Sequence, residues 1–396
     1  MMAAARVSLG GVCLMLFTAV FFTAVFLTAV FLTAVSSAQV PDGALPRRPS
    51  LGVALGPHER GAVVTAIVAG SAAEADGITA GDVIRAVDGS AVRLPADVIA
   101  AVAHHASGDS IRLEIIRAGQ TESREVRLAS YPRETMPGVT FEYGAVTLPD
   151  GSQLRTIVSV PDGNPLRRPA VLLLPGGGCG SIDTPLTPDL AQPGLMRVLA
   201  ARGYVTMRVE KSGVGDSRGP ACDAIGYIQE LDGYRAALSA LKKHRSVDLD
   251  RVFLLGISLG GVFAPTVANE SAVRGIVVYG TLAAPPSPYP GRSDRFFREL
   301  AAVDVAAAWS SVSSRVLVLH GEFDESTVAA DHERIAASVN ARHPGRATHM
   351  ELSGLDHCWT WHASMDESRG HCGSGRPDTA LSDTIVRYMQ SLMDNP

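Results

Sequence analysis

The chain has no excess of positive charge: 35 lysines and arginines stand against 40 aspartates and glutamates, a net charge of −5. Nothing in that balance points to a nucleic-acid partner or an anionic membrane surface. The two basic runs, Arg47-Arg48 and Lys242-Lys243-His244-Arg245, are short. They are expected in a linker and at the solvated end of a helix. Cysteine is scarce, with five residues in 396. Cys358, His362, His371 and Cys372 could ligate zinc as side-chain types, but their spacing fits no zinc finger, so no metal and no cofactor is expected. With 46% hydrophobic and 19% charged residues the composition is that of a globular protein, and 396 residues exceed one typical domain.

The N-terminus holds a long apolar run. Arg6 precedes Val7–Val35, which is apolar apart from glycine, serine and threonine, and Ser36-Ser37-Ala38 follows with small residues at the −3 and −1 positions of a cleavage site. Phe-Phe/Leu-Thr-Ala-Val recurs at 21–25, 26–30 and 31–35, an expansion of a short repeat within the signal. The reading is a signal peptide over 1–38 and export to the periplasm or beyond the cell. The run is also long enough to span a bilayer, so a retained anchor is the alternative, and only then would a membrane be a partner. Cys13 falls in this segment, which leaves Cys179, Cys222, Cys358 and Cys372, an even count that favours disulfides in an exported protein.

Residues 39–50, with Pro41, Pro46 and Pro49, read as an extended linker, and 131–139 as a second one. Between them, 51–130 alternates short strands and turns with two modest helices. From 140 to 396 strand and helix patterns alternate, the signature of a mostly parallel sheet with helices on both faces. Eight strands are expected, at Thr140–Leu148, Gln153–Val160, Ala170–Leu174, Tyr204–Val209, Val252–Gly256, Gly275–Tyr279, Val316–Leu319 and Thr348–Leu352. Helices are expected at Gln229–Lys243, Leu259–Asn269, Ser326–Ala341 and Asp378–Met393.

The chemistry concentrates at the ends of these strands. Val252–Gly256 runs through Gly256-Ile257-Ser258-Leu259-Gly260 into a helix. A serine on such a tight strand-to-helix turn stands above the sheet, and glycines flank it because side chains would collide. The bland alternative is a serine that caps the helix. A serine nucleophile needs a base and an orienting acid, in the order serine, acid, histidine. Asp324 follows the strand Val316–Leu319, and His357 follows Thr348–Leu352. Among rival acids, Asp356 adjoins His357, Glu322 comes early in its loop, and Asp294 and Asp304 follow the preceding strand. His320 reads as a structural strand-end residue; His104, His105, His332 and His349 read as surface residues. Two backbone N–H groups must hold the oxyanion. They are expected from Leu259 and from Gly177 or Gly178 in the run Pro175-Gly176-Gly177-Gly178-Cys179.

The stretch from about Thr140 to Met393 resembles the α/β-hydrolase superfamily. The resemblance is carried by the glycine loop, Arg202-Gly203-Tyr204, Gly213-Val214-Gly215-Asp216-Ser217, the Ser258 turn, Gly321-x-x-Asp324 and Gly354-x-x-His357. It is most similar to the branch of dienelactone-hydrolase-like esterases and serine aminopeptidases, although Lys211-Ser212-Gly213 departs from the Asp-x-Arg-Gly of many relatives. The resemblance implies hydrolysis of an ester or amide through an acyl-enzyme, without a metal. The segment 282–314 is too short for a large cap domain. The stretch 358–377, with Trp359, Trp361 and His362, reads either as a wall of the substrate pocket or as a surface loop. Cys179 and Cys222 fall at the active-site edge of adjacent strands and Cys358 and Cys372 bracket one loop, so the expected pairs are Cys179–Cys222 and Cys358–Cys372.

Residues 51–128 resemble a PDZ domain, on Leu51-Gly52-Val53, Gly61-Ala62-Val63-Val64, Gly81-Asp82-Val83-Ile84 and Asp88-Gly89. That implies a groove beside the helix around Pro95–His105, where a peptide adds as a strand with its carboxylate near Leu51, Gly52 and Val53. The alternative is an empty groove on a spacer. The chain therefore reads as an exported serine esterase, as a peptidase on peptides brought by the PDZ-like module, or as a non-catalytic peptide-binding protein.

Overall fold

The computed structural model describes residues 45–163, 167–189 and 191–394. The signal or anchor read over 1–38 lies outside them. Among the described residues no helix is long and apolar enough to cross a membrane.

The N-terminal part is built on β1 (Val53–His58), β2 (Gly61–Ile67), β3 (Val83–Val87), β4 (Ser110–Arg117) and β5 (Gln120–Arg127), hydrogen-bonded in that order, all antiparallel. Ile111, Leu113 and Ile115 alternate along β4 toward one core, as the two-residue period of a strand requires. Helix α1 (Pro95–Ala103) covers that core through Val98 and Val102 and starts with proline, whose missing N–H costs nothing in a first turn. Among the described residues β1 is an edge strand, so its outer row of backbone groups is open to pairing.

The larger sheet comprises β6 (Val139–Thr147), β7 (Gln153–Pro161), β8 (Arg168–Leu174), β9 (Val205–Val209), β10 (Val247–Ile257), β11 (Gly275–Tyr279), β12 (Arg315–Gly321) and β13 (Ala347–Leu352). Their order is β6-β7-β9-β8-β10-β11-β12-β13. β7 is antiparallel to both neighbours, and the six strands from β8 onward are parallel. Ala170 to Leu174 are wholly buried because both faces are covered. Leu172, Leu174 and Leu254 enter one core, and the alternate residues Val171, Leu173, Phe253 and Leu255 enter the other.

The expected helices are present as α3 (Tyr227–Lys243), α4 (Gly260–Glu270), α7 (Ala329–Arg342) and α8 (Ala380–Asp394). α2 (Ala191–Ala201) was not expected, because Pro193 and Gly194 interrupt its sequence pattern; here the proline lies in the first turn. The segment 282–314 holds α5 (Asp294–Ala301) and α6 (Val305–Ser310), packed through Phe296, Phe297, Leu300 and Trp309.

The basic pair of the first linker does not run free. Arg47 Nη1 lies 2.6 Å from Asp183 and 2.5 Å from Asp216, and Arg48 N–H donates to Asp216 at 2.8 Å. Both carboxylates are buried and Arg155 meets Asp216 at 3.0 Å, so the arginines complete a charge cluster the sheet cannot satisfy alone.

Candidate active site

The parallel strands deliver their loops to one edge of the sheet, where open α/β sheets bind ligands. β10 ends at Ile257 and α4 begins at Gly260, so two residues make the whole turn. Ser258 takes the left-handed region, with φ at 53°, a strained setting for a residue with a side chain. Three hydrogen bonds impose it: Ser258 N–H donates to Tyr279 O at 2.9 Å, while Ser258 O accepts from Gly261 N–H at 3.0 Å and from Thr281 Oγ at 2.8 Å. A Cβ on Gly260 would lie 1.8 Å from Leu174 O, so only glycine lets β8 and the turn approach so closely. Leu259 N–H stands at the head of α4, where no intrahelical acceptor exists.

Asp324 and His357 come together from the loops after β12 and β13. Asp324 Oδ2 accepts from His357 Nδ1 at 2.8 Å and from Thr327 Oγ at 2.8 Å; its Oδ1 accepts the N–H groups of Ser326 and Thr327 at 2.8 and 2.9 Å. Burial alone would raise the Asp324 carboxyl, but the bonds from His357, Thr327 and Ser326 outweigh it and hold the group below its ordinary range. Gly280 completes the contact: a Cβ there would sit 2.9 Å from both Asp324 Oδ2 and His357 Nδ1.

Ser258 and His357 line one cavity of about 330 Å³, together with Gly176, Gly177 and Gly178. Among the described residues no hydrogen bond joins the Ser258 hydroxyl to His357; such bonds commonly tighten only around substrate. Cys358 and Trp359 also line this cavity, so the stretch after His357 supplies a wall. A second cavity of about 340 Å³ touches Gly177 and Gly178, with Tyr289 and Asp223 on it.

The rival acids are engaged elsewhere. Asp356 accepts from the N–H groups of Cys358, Thr360 and Gly373 and pairs with His362 at 3.0 Å, so it shapes the loop behind its neighbour. Glu322 accepts from Ser353 and Gly354. Asp304 caps α6 through Ala307 N–H, and Asp294 opens α5. Cys179 is bonded to Cys222 and Cys358 to Cys372, which leaves no free thiol among the described cysteines.

Several contributors escaped the sequence reading. His332, expected at the surface, is fully buried. Its Nδ1 bonds Val328 O at 2.9 Å and its Nε2 accepts from Thr281 N–H at 2.9 Å, which makes it a neutral prop for the residue that holds Ser258 O. Burial pushes its imidazole down to about 4. Lys211, next to the end of β9, is buried too; burial pushes its ammonium down to about 8 against the opposing pull of Glu230. A lysine so close to an apolar strand was the available sequence signal. Leu51 and Gly52 are buried before β1, and their carbonyls accept from Ala73 and Val68 N–H, while Val53 begins the edge strand.

Residues 49–128 match the PDZ domain family. Among characterised proteins, the chain is similar to esterase EstD of Thermotoga maritima, 28% identical over 144 residues, which are 36% of this chain and 31% of that one. The match thus spans about a third of that relative's length. Among solved structures, a protein of Bacteroides ovatus named for dipeptidyl aminopeptidase IV superposes with a TM-score of 0.50 at 16% identity, over 71% of this chain and 40% of that one. Est1E of Butyrivibrio proteoclasticus, solved with ferulic acid, gives a TM-score of 0.49 at 15% identity, over 63% and 99%. The likeness to the Bacteroides ovatus structure, at 16% identity, speaks to fold alone, and it agrees with the sheet order described above. The chain joins an N-terminal PDZ domain to a mostly parallel sheet with the α/β-hydrolase fold.

Proposed function

We propose that this protein is an exported serine hydrolase that cleaves carboxylic esters, with Ser258 as nucleophile, His357 as base and then acid, and Asp324 as its orienting partner. One observation carries the reading: Ser258, at a strained left-handed turn, shares a cavity with a histidine whose other nitrogen is bonded to a buried carboxylate. The bond from Nδ1 to Asp324 leaves His357 Nε2 to take the serine proton as Oγ attacks the substrate carbonyl carbon. The N–H groups of Leu259 and of Gly177 or Gly178 receive the oxyanion. His357 then protonates the departing alkoxide, and a water it activates releases the acid. Asp324 stays ionised throughout and stabilises the imidazolium.

Among the described residues no aspartate or glutamate lines the cavity that Ser258 opens into. The adjoining cavity, which shares Gly177 and Gly178, does carry Asp223, so the choice between ester and aminoacyl substrate rests on the assay below. The second reading, a peptidase fed by the PDZ domain, is favoured by the outer edge of β1, which no strand of the described residues pairs. A peptide would add there, its carboxylate near Leu51, Gly52 and Val53. The layout proposed is a signal over 1–38, linkers over 39–50 and 131–139, the PDZ domain over 51–130 and the hydrolase over 140–396. Two disulfides agree with an oxidising compartment.

The test compares the parent protein with Ser258→Ala on short acyl esters and on aminoacyl amides. The substitution is expected to lower ester hydrolysis by roughly a thousandfold or more with an unchanged melting curve. Full activity in the variant overturns the assignment, and faster turnover of amides than of esters by the parent selects the peptidase.

A further inference from the structure

Three consecutive carbonyls of the glycine loop are held by two buried cations. Lys211 Nζ donates to Gly176 O at 2.6 Å and to Gly178 O at 2.9 Å. Arg292 Nε donates to the carbonyl between them, Gly177 O, at 2.7 Å. One carboxylate ties the cations together: Lys211 Nζ lies 3.1 Å from Glu230 Oε1, and Arg292 Nη2 lies 2.7 Å from Oε2 as an ion pair without hydrogen-bond alignment. Tyr234 OH donates to the same Glu230 Oε1 at 2.7 Å. Lys211, Glu230 and Arg292 are all buried, and the void between Lys211 and Glu230 is about 10 Å³, too small for more than a single water.

The cost of this arrangement makes it informative. Burying two cations and one carboxylate is expensive, and a loop that needed only an anchor could be held by apolar packing. What the cations contact is specific: backbone oxygens of the loop that faces Ser258, where a Cβ on Gly176 would lie 3.5 Å from the Ser258 Cβ. A trans peptide unit is planar, so its N–H points away from its C=O. Fixing the carbonyls of Gly176, Gly177 and Gly178 therefore fixes the N–H groups of Gly177, Gly178 and Cys179. A cation bonded to the carbonyl also polarises the unit and strengthens its N–H as a donor.

We propose that Lys211 and Arg292, bridged by Glu230, are positioning residues that aim and polarise the Gly177 and Gly178 amides toward the tetrahedral intermediate. The inference rests on the serine-hydrolase reading above. Lys211 touches no reacting atom, so its contribution belongs to the transition state and not to substrate binding.

The test is Lys211→Met, which keeps the length of the side chain and removes its charge and donors. With an activated ester, kcat is expected to fall roughly 10- to 100-fold with KM within about threefold, short of the full loss of an oxyanion donor. Affinity for a trifluoromethyl ketone, which forms the tetrahedral adduct, is expected to fall by the same factor. A Lys211→Met protein with the parent's kcat, or with adduct affinity unchanged while kcat and KM shift together, overturns the proposal. Should that variant fail to fold, Arg292→Lys is judged by the same two outcomes; it keeps the charge but cannot span Gly177 O, Cys222 O and Glu230 at once. Ester hydrolysis and Ser258 labelling by a fluorophosphonate are measured first on the parent, and their absence overturns the hydrolase reading and this inference together.

Discussion

His332 gives the fold a dependence on pH that can be worked out in advance. Its ring is fully buried, and both nitrogens are committed, Nδ1 to Val328 O and Nε2 to Thr281 N–H, each at 2.9 Å. A proton on Nε2 would face the Thr281 N–H donor to donor. The folded imidazole therefore titrates near 4, against 6.5 in the unfolded chain. Between those values the unfolded state binds the extra proton, so its population gains as the pH falls. The contribution of this residue is fully present above about pH 6.5 and is lost as pH falls toward 4. From pH 7 to pH 4.5 the loss amounts to roughly 2 kcal/mol. The assay is urea unfolding of the parent and of His332→Gln, with disulfides intact, at several pH values across that range. Groups remote from His332 titrate in both proteins and cancel in the difference, whereas His320, Asp324 and His349 act on its ring directly and belong to the effect measured. The stability advantage of the parent over the variant should shrink by about 2 kcal/mol between pH 7 and pH 4.5. A difference that does not change with pH refutes the assignment of a neutral, doubly bonded His332.

Asp324→Asn should lower kcat by roughly three to four orders of magnitude, because the imidazole loses its fixed tautomer, while KM stays near the parent value; steady-state kinetics on an activated ester checks this. Gly260→Ala should cost about 3 kcal/mol or more or prevent folding, since its Cβ would meet Leu174 O at 1.8 Å; a melting curve close to the parent's would contradict the packing argument. Arg47→Ala should cost at least about 2 kcal/mol by leaving buried Asp183 and Asp216 short of a cation, and equal urea midpoints would show that the linker contact is dispensable. Replacing Cys179 and Cys222 together by serine opens a loop whose ends are 43 residues apart, with an expected loss of up to about 4 kcal/mol read from denaturant unfolding.

The sheet was legible because β8, β11, β12 and the second half of β10 carry nearly continuous apolar runs, and the turn at Ser258 because its glycines are forced by close approach. Asp324 and His357 could be named from their places after successive strands, and in the structure they share a hydrogen bond. What stayed hidden depends on contacts between distant segments. Lys211, Glu230 and Arg292 form no motif and meet only when β9, α3 and the segment before α5 are packed. His332 shares the i, i+3, i+4, i+7 stripe of Ile335, Ala336 and Val339 on the inward face of α7, a spacing that the surface reading of this histidine passed over. Arg47 and Arg48 looked like solvated linker residues because their partners, Asp183 and Asp216, lie more than a hundred residues away. α2 was obscured by Pro193 and Gly194, which local propensity counts against a helix and a first turn tolerates.

The central claim, that Ser258 is an activated nucleophile, is tested most directly by reacting the parent protein with a fluorophosphonate and mapping the adduct by mass spectrometry. The account predicts one phosphonyl group per chain, on the peptide carrying Ser258, and none in Ser258→Ala. No adduct on the folded parent, or an adduct on any other residue that persists in the variant, would contradict it.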